Sequence, residues 1–287
     1  MAIAADIHSV AGAGAPWALK DLPPYRPVAR KLMLLAAKED IPLDLVQQVL
    51  RTDAAFSADV LRLANSPLIG MRAEIKSVLQ AVMMLGLERI KVLATTLALR
   101  TFLTNVPNGA LQGCWRHNLA TAILCDRLAR VLHLDSDTCY TAGLLHDIGR
   151  LALLRAYPDK YERILDMDLK NESEVMREEK AVFDIDHCAA GGWILARWDF
   201  PDELQKVVSM HHRKPDRGSV GVLPIVYVGW QIADLLGFSV LRQPAGGQIE
   251  EIVSVLPGKA PQEILAQYDG LVEDVAFKIN AIECSLV

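Results

Sequence analysis

Several features are missing from this 287-residue sequence, and each absence removes a class of function. No uncharged apolar run reaches the ~18 residues that a membrane-spanning helix requires. The first residues, "MAIAADIHSVAGAGAPW", carry no basic n-region, so a secretory leader is not expected. The five cysteines, Cys114, Cys125, Cys139, Cys188 and Cys284, form no C-x-x-C pair, which argues against a zinc ribbon, and their odd number argues against a disulfide framework. Reduced, buried thiols in a cytoplasmic protein are the expectation. Positive charge is not in excess: the formal net charge of −5 gives no general attraction to nucleic acid or acidic membrane surfaces. The small-residue stretch "AGAGAP" (11–16) is followed by no Lys-Ser/Thr and preceded by no strand, so it is not a phosphate loop. Period-two alternation is absent, as are internal repeats and low-complexity blocks.

What is present reads as helix. Hydrophobic residues make up 52% of the chain and charged ones 23%, the balance of a globular protein long enough for one large or two modest domains. Val28, Leu32 and Leu35, then Leu45, Val46 and Val49, recur at helical spacing. Thr52 or Asp53 is placed to cap a helix over "AAFSADVLRLANS" that Pro67 ends. "SVLQAVMMLGLERIKVLATTLALRTFL" is helical on both sides of a break at Gly86, and Met83 and Met84 are expected to fill core. Further helices are expected over about 114–133, a short one ending in "HDIGR", then Asp186–Trp198, Pro201–His212 and Leu223–Leu236. "RQPAGGQ" (242–248) reads as a linker, after which Ile264, Tyr268, Leu271, Val275 and Ile279 form one apolar stripe that either docks on the domain or meets a partner helix, docking being the expectation. The predicted fold class is all-α.

Polar residues interrupt these apolar helices at a few places: His117 in "CWRHNLA", His146 and Asp147 in "GLLHDIGR", His187 in "IDHCAAGGW", His211 and His212 in "SMHHRKP", and Asp234 in "QIADLLG". Each falls on a separate helix or helix end. Imidazole and carboxylate are ligands of first-row divalent metals, and helices converging with inward His and Asp can build such a site. Any one of them has an ordinary explanation as a core histidine or helix-end acceptor, but an unpartnered buried charge is costly, so the set points to a metal. His8 and His133 are assigned no role.

This ordered series, His, His-Asp, His, His, Asp, resembles the HD superfamily of metal-dependent phosphohydrolases. The longer match is to its offshoot, the HDOD (HD-related output domain) family of bacterial signalling proteins, carried by "LPPYRPVARKLM", "RTDAAFSADVLRLANSPLIG", "SVLQAVMMLGLERIKVLA", "WRHNLATAILCDRLAR", "TAGLLHDIGRLAL", "DHCAAGGWILARWDFPDEL" and "MHHRKP". The resemblance implies a lead-in over 1–19 and an HDOD-like domain over 20–240. Within it an N-terminal helical lobe (about 20–110) packs on an HD-like bundle (111–240), and a linker and C-terminal helical segment (241–287) follow. It implies one or two divalent transition-metal ions (iron, manganese, zinc or nickel). His117, His146, Asp147 and Asp234 would be core ligands, with His187 and one of His211 or His212 able to hold a second ion. Arg150 stands where the phosphodiesterase branch has lysine and could contact a phosphate.

The same branch follows its double histidine with glutamate and a Gly-Tyr-Pro signature, whereas this chain reads "HHRKPDRGS", with Arg213 in the glutamate's place. Two function classes stay open. One is a cytoplasmic signalling output domain binding other signalling proteins or a small ligand, with a homodimer possible. The other is an active phosphohydrolase on a nucleotide or cyclic nucleotide. A third, nucleic-acid binding through Arg62, Arg72, Lys76, Arg89, Lys91 and Arg100, is explained more simply by a solvated charged face. Neighbours on a helix point about 100° apart, so His211 and His212 can both reach the site only where the helix ends. Pro215 places an end nearby, and His211, beside apolar Val207 and Val208, is favoured as the inward residue.

Overall fold

The computed structural model describes residues 16–19, 22, 25–36, 41–71, 73–100, 109–241 and 247–285. Every regular element among them is helical, as the periodicity predicted. The α-helices in chain order are α1 (Pro27–Ala36), α2 (Leu43–Arg51), α3 (Ala54–Ala64), α4 (Val78–Arg100), α5 (Gly109–Val131), α6 (Ser136–Leu145), α7 (Ile148–Ala156), α8 (Pro158–Leu165), α9 (Glu172–Phe183), α10 (His187–Arg197), α11 (Asp202–Met210), α12 (Val222–Ala233), α13 (Ile249–Val253), α14 (Ala260–Leu265) and α15 (Leu271–Ser285). None is long and apolar enough to cross a membrane. His8, Arg72 and most of "AGAGAP" and "RQPAGGQ" lie outside the described residues.

The described residues fall into two compact units. One holds α1–α4 and α15; the other holds Trp17–Leu19 and α5–α14. The C-terminal segment is therefore divided: α13 and α14 belong with the histidine-bearing helices, and α15 packs on α3. The expected single stripe breaks at the turn Tyr268–Gly270, beyond which Leu271, Val275, Ile279 and Ile282 are buried on α15.

In the first unit the apolar faces of α1–α4 close on one another, with Leu32, Leu50, Phe56, Val60, Leu63, Ile90 and Leu93 fully buried. Full burial of such a side chain contributes about 1.5–3 kcal/mol. The Asp53 carboxylate accepts from the Phe56 amide at 2.9 Å and caps α3. Gly86 sits at φ +75 inside α4, a left-handed conformation that gives glycine its place at the expected break. Met83 and Met84 are 66% and 43% exposed rather than core-filling, because Ala81 and Val82 take the buried side of this part of α4. The basic residues of this unit pair locally, Arg62 with Asp59, Lys76 with Glu74 and Lys91 with Glu88, as a solvated charged face would.

The second unit is built around α5, whose buried side holds His117, Asn118, Leu119 and Ile123 against α6 and α12. Helix α7 crosses both α5 and α10. The Trp17 indole donates to Asp184 at 3.1 Å and stacks edge-on against Tyr157, docking the Trp17–Leu19 turn on this unit.

Candidate metal centre

The sequence "GLLHDIGR" forms a helix break. Helix α6 stops at Leu145, Asp147 leaves helical geometry (φ −107, ψ 24), and α7 restarts at Ile148. A short helix ending in "HDIGR" was the expectation; the helix ends at Leu145, just before the pair, and a new one starts at Ile148, which frees the pair from the divergence of about 100° between adjacent helical residues. Here His146 and Asp147 are 1% and 2% exposed, both turned inward. The small residue that follows has its own reason. A Cβ on Gly149 would stand 2.0 Å from the His187 carbonyl oxygen and 2.6 Å from the Gly191 nitrogen, so only glycine lets α7 approach α10 this closely.

Four of the histidines share one arrangement. His146 Nδ1–H donates to the Gly143 carbonyl (2.7 Å), His211 Nδ1–H to the Val208 carbonyl (2.8 Å), His117 Nδ1–H to the Phe238 carbonyl (3.1 Å) and His187 Nδ1–H to the Glu179 carboxylate (2.7 Å). Because carbonyls and carboxylates only accept, the Nδ1 proton is fixed and the Nε2 lone pair is aimed inward, as metal-ligating histidines are oriented. Those inner atoms converge. His117 Nε2 lies 3.2 Å from His146 Nε2, and His187 Nε2 lies 2.9 Å from His212 Nε2. Asp147 Oδ1 is 3.5 Å from His187 Nε2 and 3.7 Å from His211 Nε2.

Donors about 2.0–2.2 Å from a common ion stand about 3.0–3.5 Å from each other. Two imidazole lone pairs at 2.9 Å repel unless a proton or a cation lies between them. Asp147 Oδ1, His211 Nε2 and His212 Nδ1 are buried with no hydrogen-bond partner in the protein, which an unassisted core would avoid. Two groups have ligand atoms within 4.8 Å of one another: His117, His146 and Asp147, and His187, Cys188, His211 and His212. The donor set fits a divalent transition metal.

Ring nitrogens of both His211 and His212 lie in this donor cluster, where one inward residue was expected. Helix α11 ends at Met210 with His211 still in the right-handed region (φ −62, ψ −22), and the two ring centroids stand 4.0 Å apart. Asp234 is placed differently from the other predicted ligands: its Oδ1 lies 3.4 Å from Nδ1 of His117, the nitrogen facing away from His146.

Charge is arranged to match. Burial alone would raise the Asp147 carboxyl, but Arg150 and the surrounding imidazoles override it and hold it well below the carboxylate range. Arg150, 1% exposed, donates from Nε to Asp147 Oδ2 at 2.7 Å and from Nη2 to Glu172 Oε2 at 2.7 Å. Burial pushes His146 and His212 well below the usual imidazole range. For His187 burial acts the same way, yet the Glu179 carboxylate prevails and raises it. Asp234 is pushed up to about 6 by burial, against the pull of His117.

Glu172, Glu179 and Cys188 were not legible as site residues. "NESEVMREEK" reads as a solvated charged face, but Glu172 and Glu179 lie on the same side of α9 as buried Val175 and Phe183, at spacings of three and four. Carboxylates occupying stripe positions were the available signal. Glu179 is fully buried, accepting from the His187 ring and backbone and from the Tyr161 hydroxyl.

The family model of the HDOD domain matches residues 22–214, about two thirds of the chain. The chain belongs to the HDOD domain family. An HDOD domain protein of unknown function from Geobacter sulfurreducens superposes on this HDOD chain with a TM-score of 0.75 at 21% identity, covering 92% of this chain and 94% of its own. A proposed phosphohydrolase from Shewanella amazonensis SB2B gives 0.68 at 22% identity, over 94% and 96%. In sequence, an uncharacterised protein of Treponema pallidum is 22% identical over 200 residues, 69% of this chain; the matched part spans 39% of that relative's length. At these identities the likeness is one of fold.

Proposed function

We propose that this HDOD chain is a cytoplasmic bacterial signalling output module. Its His/Asp centre binds one or two divalent transition-metal ions and holds the helices of the site in register, while its surfaces recognise other signalling proteins. Arg150 carries this reading. The cation that a phosphohydrolase would turn toward a substrate phosphate is instead buried and held between two carboxylates. His117, His146, Asp147, His187, His211 and His212 would hold the metal, with Asp234 against the outer nitrogen of His117. A bound ion of this kind supplies Lewis acidity and lowers the pKa of coordinated water. The chain's own contribution is orientation, since four imidazoles have their protons fixed outward and Asp147 keeps one oxygen for Arg150 and one for the centre.

A second reading, hydrolysis of a nucleotide or cyclic nucleotide phosphoester, is favoured by the His117, His146 and Asp147 cluster and the His187, His211 and His212 cluster retained around the "HD" break. One experiment separates the two. Protein purified without chelator is assayed for bound metal, then the manganese-, iron- and zinc-loaded forms are incubated with cyclic di-GMP and other phosphodiesters. The output reading expects retained metal and no turnover. Metal-dependent turnover near about one per second, the low end of ordinary enzyme rates, that disappears in His146→Ala would replace it with the enzyme reading.

A further inference from the structure

A cavity of about 490 Å³ lies between α9, α10 and α11 and shares Cys188 and His212 with the metal centre. Its volume falls within the ~300–1,000 Å³ typical of small-molecule sites. Most of the wall is apolar: Met176 from α9, Trp193 from α10 and Met210 from α11. The α10 wall is also kept low by small residues. Ala189, Gly192 and Ala196 recur at spacings of three and four on one side of that helix; Gly192 lets Ser209 of α11 come close, and Ala189 and Ala196 keep the wall low. Thioethers and an indole make good surfaces for a flat ring.

Polar groups line the cavity as well. The Asp186 carboxylate is already committed, accepting from the Ala189 amide and from Lys180. Among the lining residues Arg213 is the one permanent cation; it is exposed, and no ion pair of its guanidinium occurs among the described residues. His212 beside it has a buried Nδ1 without a partner. An apolar slot ending in a cationic edge selects an amphipathic anion. A guanidinium is matched to phosphate in particular, which it grips with parallel N–H donors. Gln205 and Ser209 line it too, with their donors committed to the Phe200 and Gln205 carbonyls, which leaves the Gln205 Oε1 and Ser209 Oγ lone pairs as acceptors for a heterocycle's N–H groups that a fatty acyl chain lacks.

We propose that this cavity binds a nucleoside monophosphate, with the base between Met176, Trp193 and Met210 and the phosphate at Arg213 beside His212. The assignment deepens the reading of the metal centre and rests on it only for the phosphate's neighbourhood to the ions; the slot and Arg213 stand without it.

The test titrates the full chain calorimetrically with AMP and GMP, with the matching nucleosides, with inorganic phosphate and with octanoate, both metal-loaded and after chelation, with bound metal measured alongside. Saturable binding of a nucleoside monophosphate is expected, at least tenfold tighter than its nucleoside. Arg213→Ala should remove that difference, and Ala189→Phe should abolish binding with bound metal unchanged; Ala189→Leu serves if the larger residue prevents folding. No saturation at millimolar nucleotide, octanoate binding in its place, or affinity unmoved by both Arg213→Ala and the cavity-filling variant overturns the proposal. Arg213-dependent binding by protein that holds no metal would defeat the metal reading and leave the cavity assignment standing. Metal retained without nucleotide binding would do the reverse.

Discussion

The two units of this chain bury different things. In the unit of α1–α4 and α15, the buried polar residues are hydroxyl-bearing: Ser57, Ser66, Thr95 and Thr96, alongside an otherwise apolar core. Most of these hydroxyls are satisfied nearby, Ser57 by the Leu50 carbonyl at 2.7 Å and Thr96 by Val92 at 2.9 Å. In the other unit the core takes in His117, His146, Asp147, Arg150, Glu179, Asp186, His187, His211 and Asp234. Charges removed from water cost several kcal/mol each unless paired, so this second core is stable only as a connected network. The first core is held by packing, where each residue contributes nearly independently; the second is held by partners, where removing one strands the others.

The largest effect should come from breaking the network. Asp147→Ala leaves the buried Arg150 guanidinium with Glu172 as its one carboxylate partner and removes a proposed ligand, and about 3–5 kcal/mol is expected from such a loss. Thermal melting and bound metal should fall together, since an ion bound only by the native state stabilises it by mass action. Melting that does not respond to metal, in wild type and variant alike, would erase the distinction between the units. Next, Leu50→Ala in the packed unit should cost about 2–5 kcal/mol as a cavity while bound metal stays unchanged. A fall in metal content with this substitution would show the two cores to be coupled.

The same contrast decides what could be read beforehand. Helix positions were legible because apolar spacing reports packing: the cap at Asp53, the kink at Gly86 and the burial along α15 all follow from it. The histidines were legible because a polar residue on an apolar stripe is conspicuous. Their supports were not, because Glu172 and Glu179 sit in a run so rich in charge that two more carboxylates do not stand out. A helix end at "HDIGR" was legible; the close approach of Gly149 to His187 was not, because that contact is tertiary and no local propensity announces it.

Acid should separate the units next. In the metal-free protein, His146 and His212 lie below the ordinary imidazole range, so they lose stability as pH falls from about 6.5. His187 and His211 are raised, so their contribution is present below about 6.5 and is lost as pH rises through their folded values. These pairs oppose each other. Asp147 and Glu179, both lowered, contribute stability present above about 4 that is lost as pH falls through their folded values. Hydrogen exchange resolved by peptide should therefore show the histidine-bearing unit opening below about pH 4, with α1–α4 protected further down. Equal loss in both would contradict the assignment of buried charge to one of them. The smallest effect is local: Asp53→Ala removes the cap of α3 and should cost about 1 kcal/mol, read as a shifted denaturation midpoint with bound metal unchanged.

Helix α10 has two working sides. On one, His187 and Gly191 meet Gly149 so closely that there is no room for a Cβ between the backbones; on the other, Ala189, Gly192 and Ala196 form a wall of the cavity. Contact that tight cannot slip, so α10 and the "HD" turn behave as one stiff lever. A substitution that adds a Cβ at Gly149 must therefore move α7 and α10 apart together with the His187 that α10 carries.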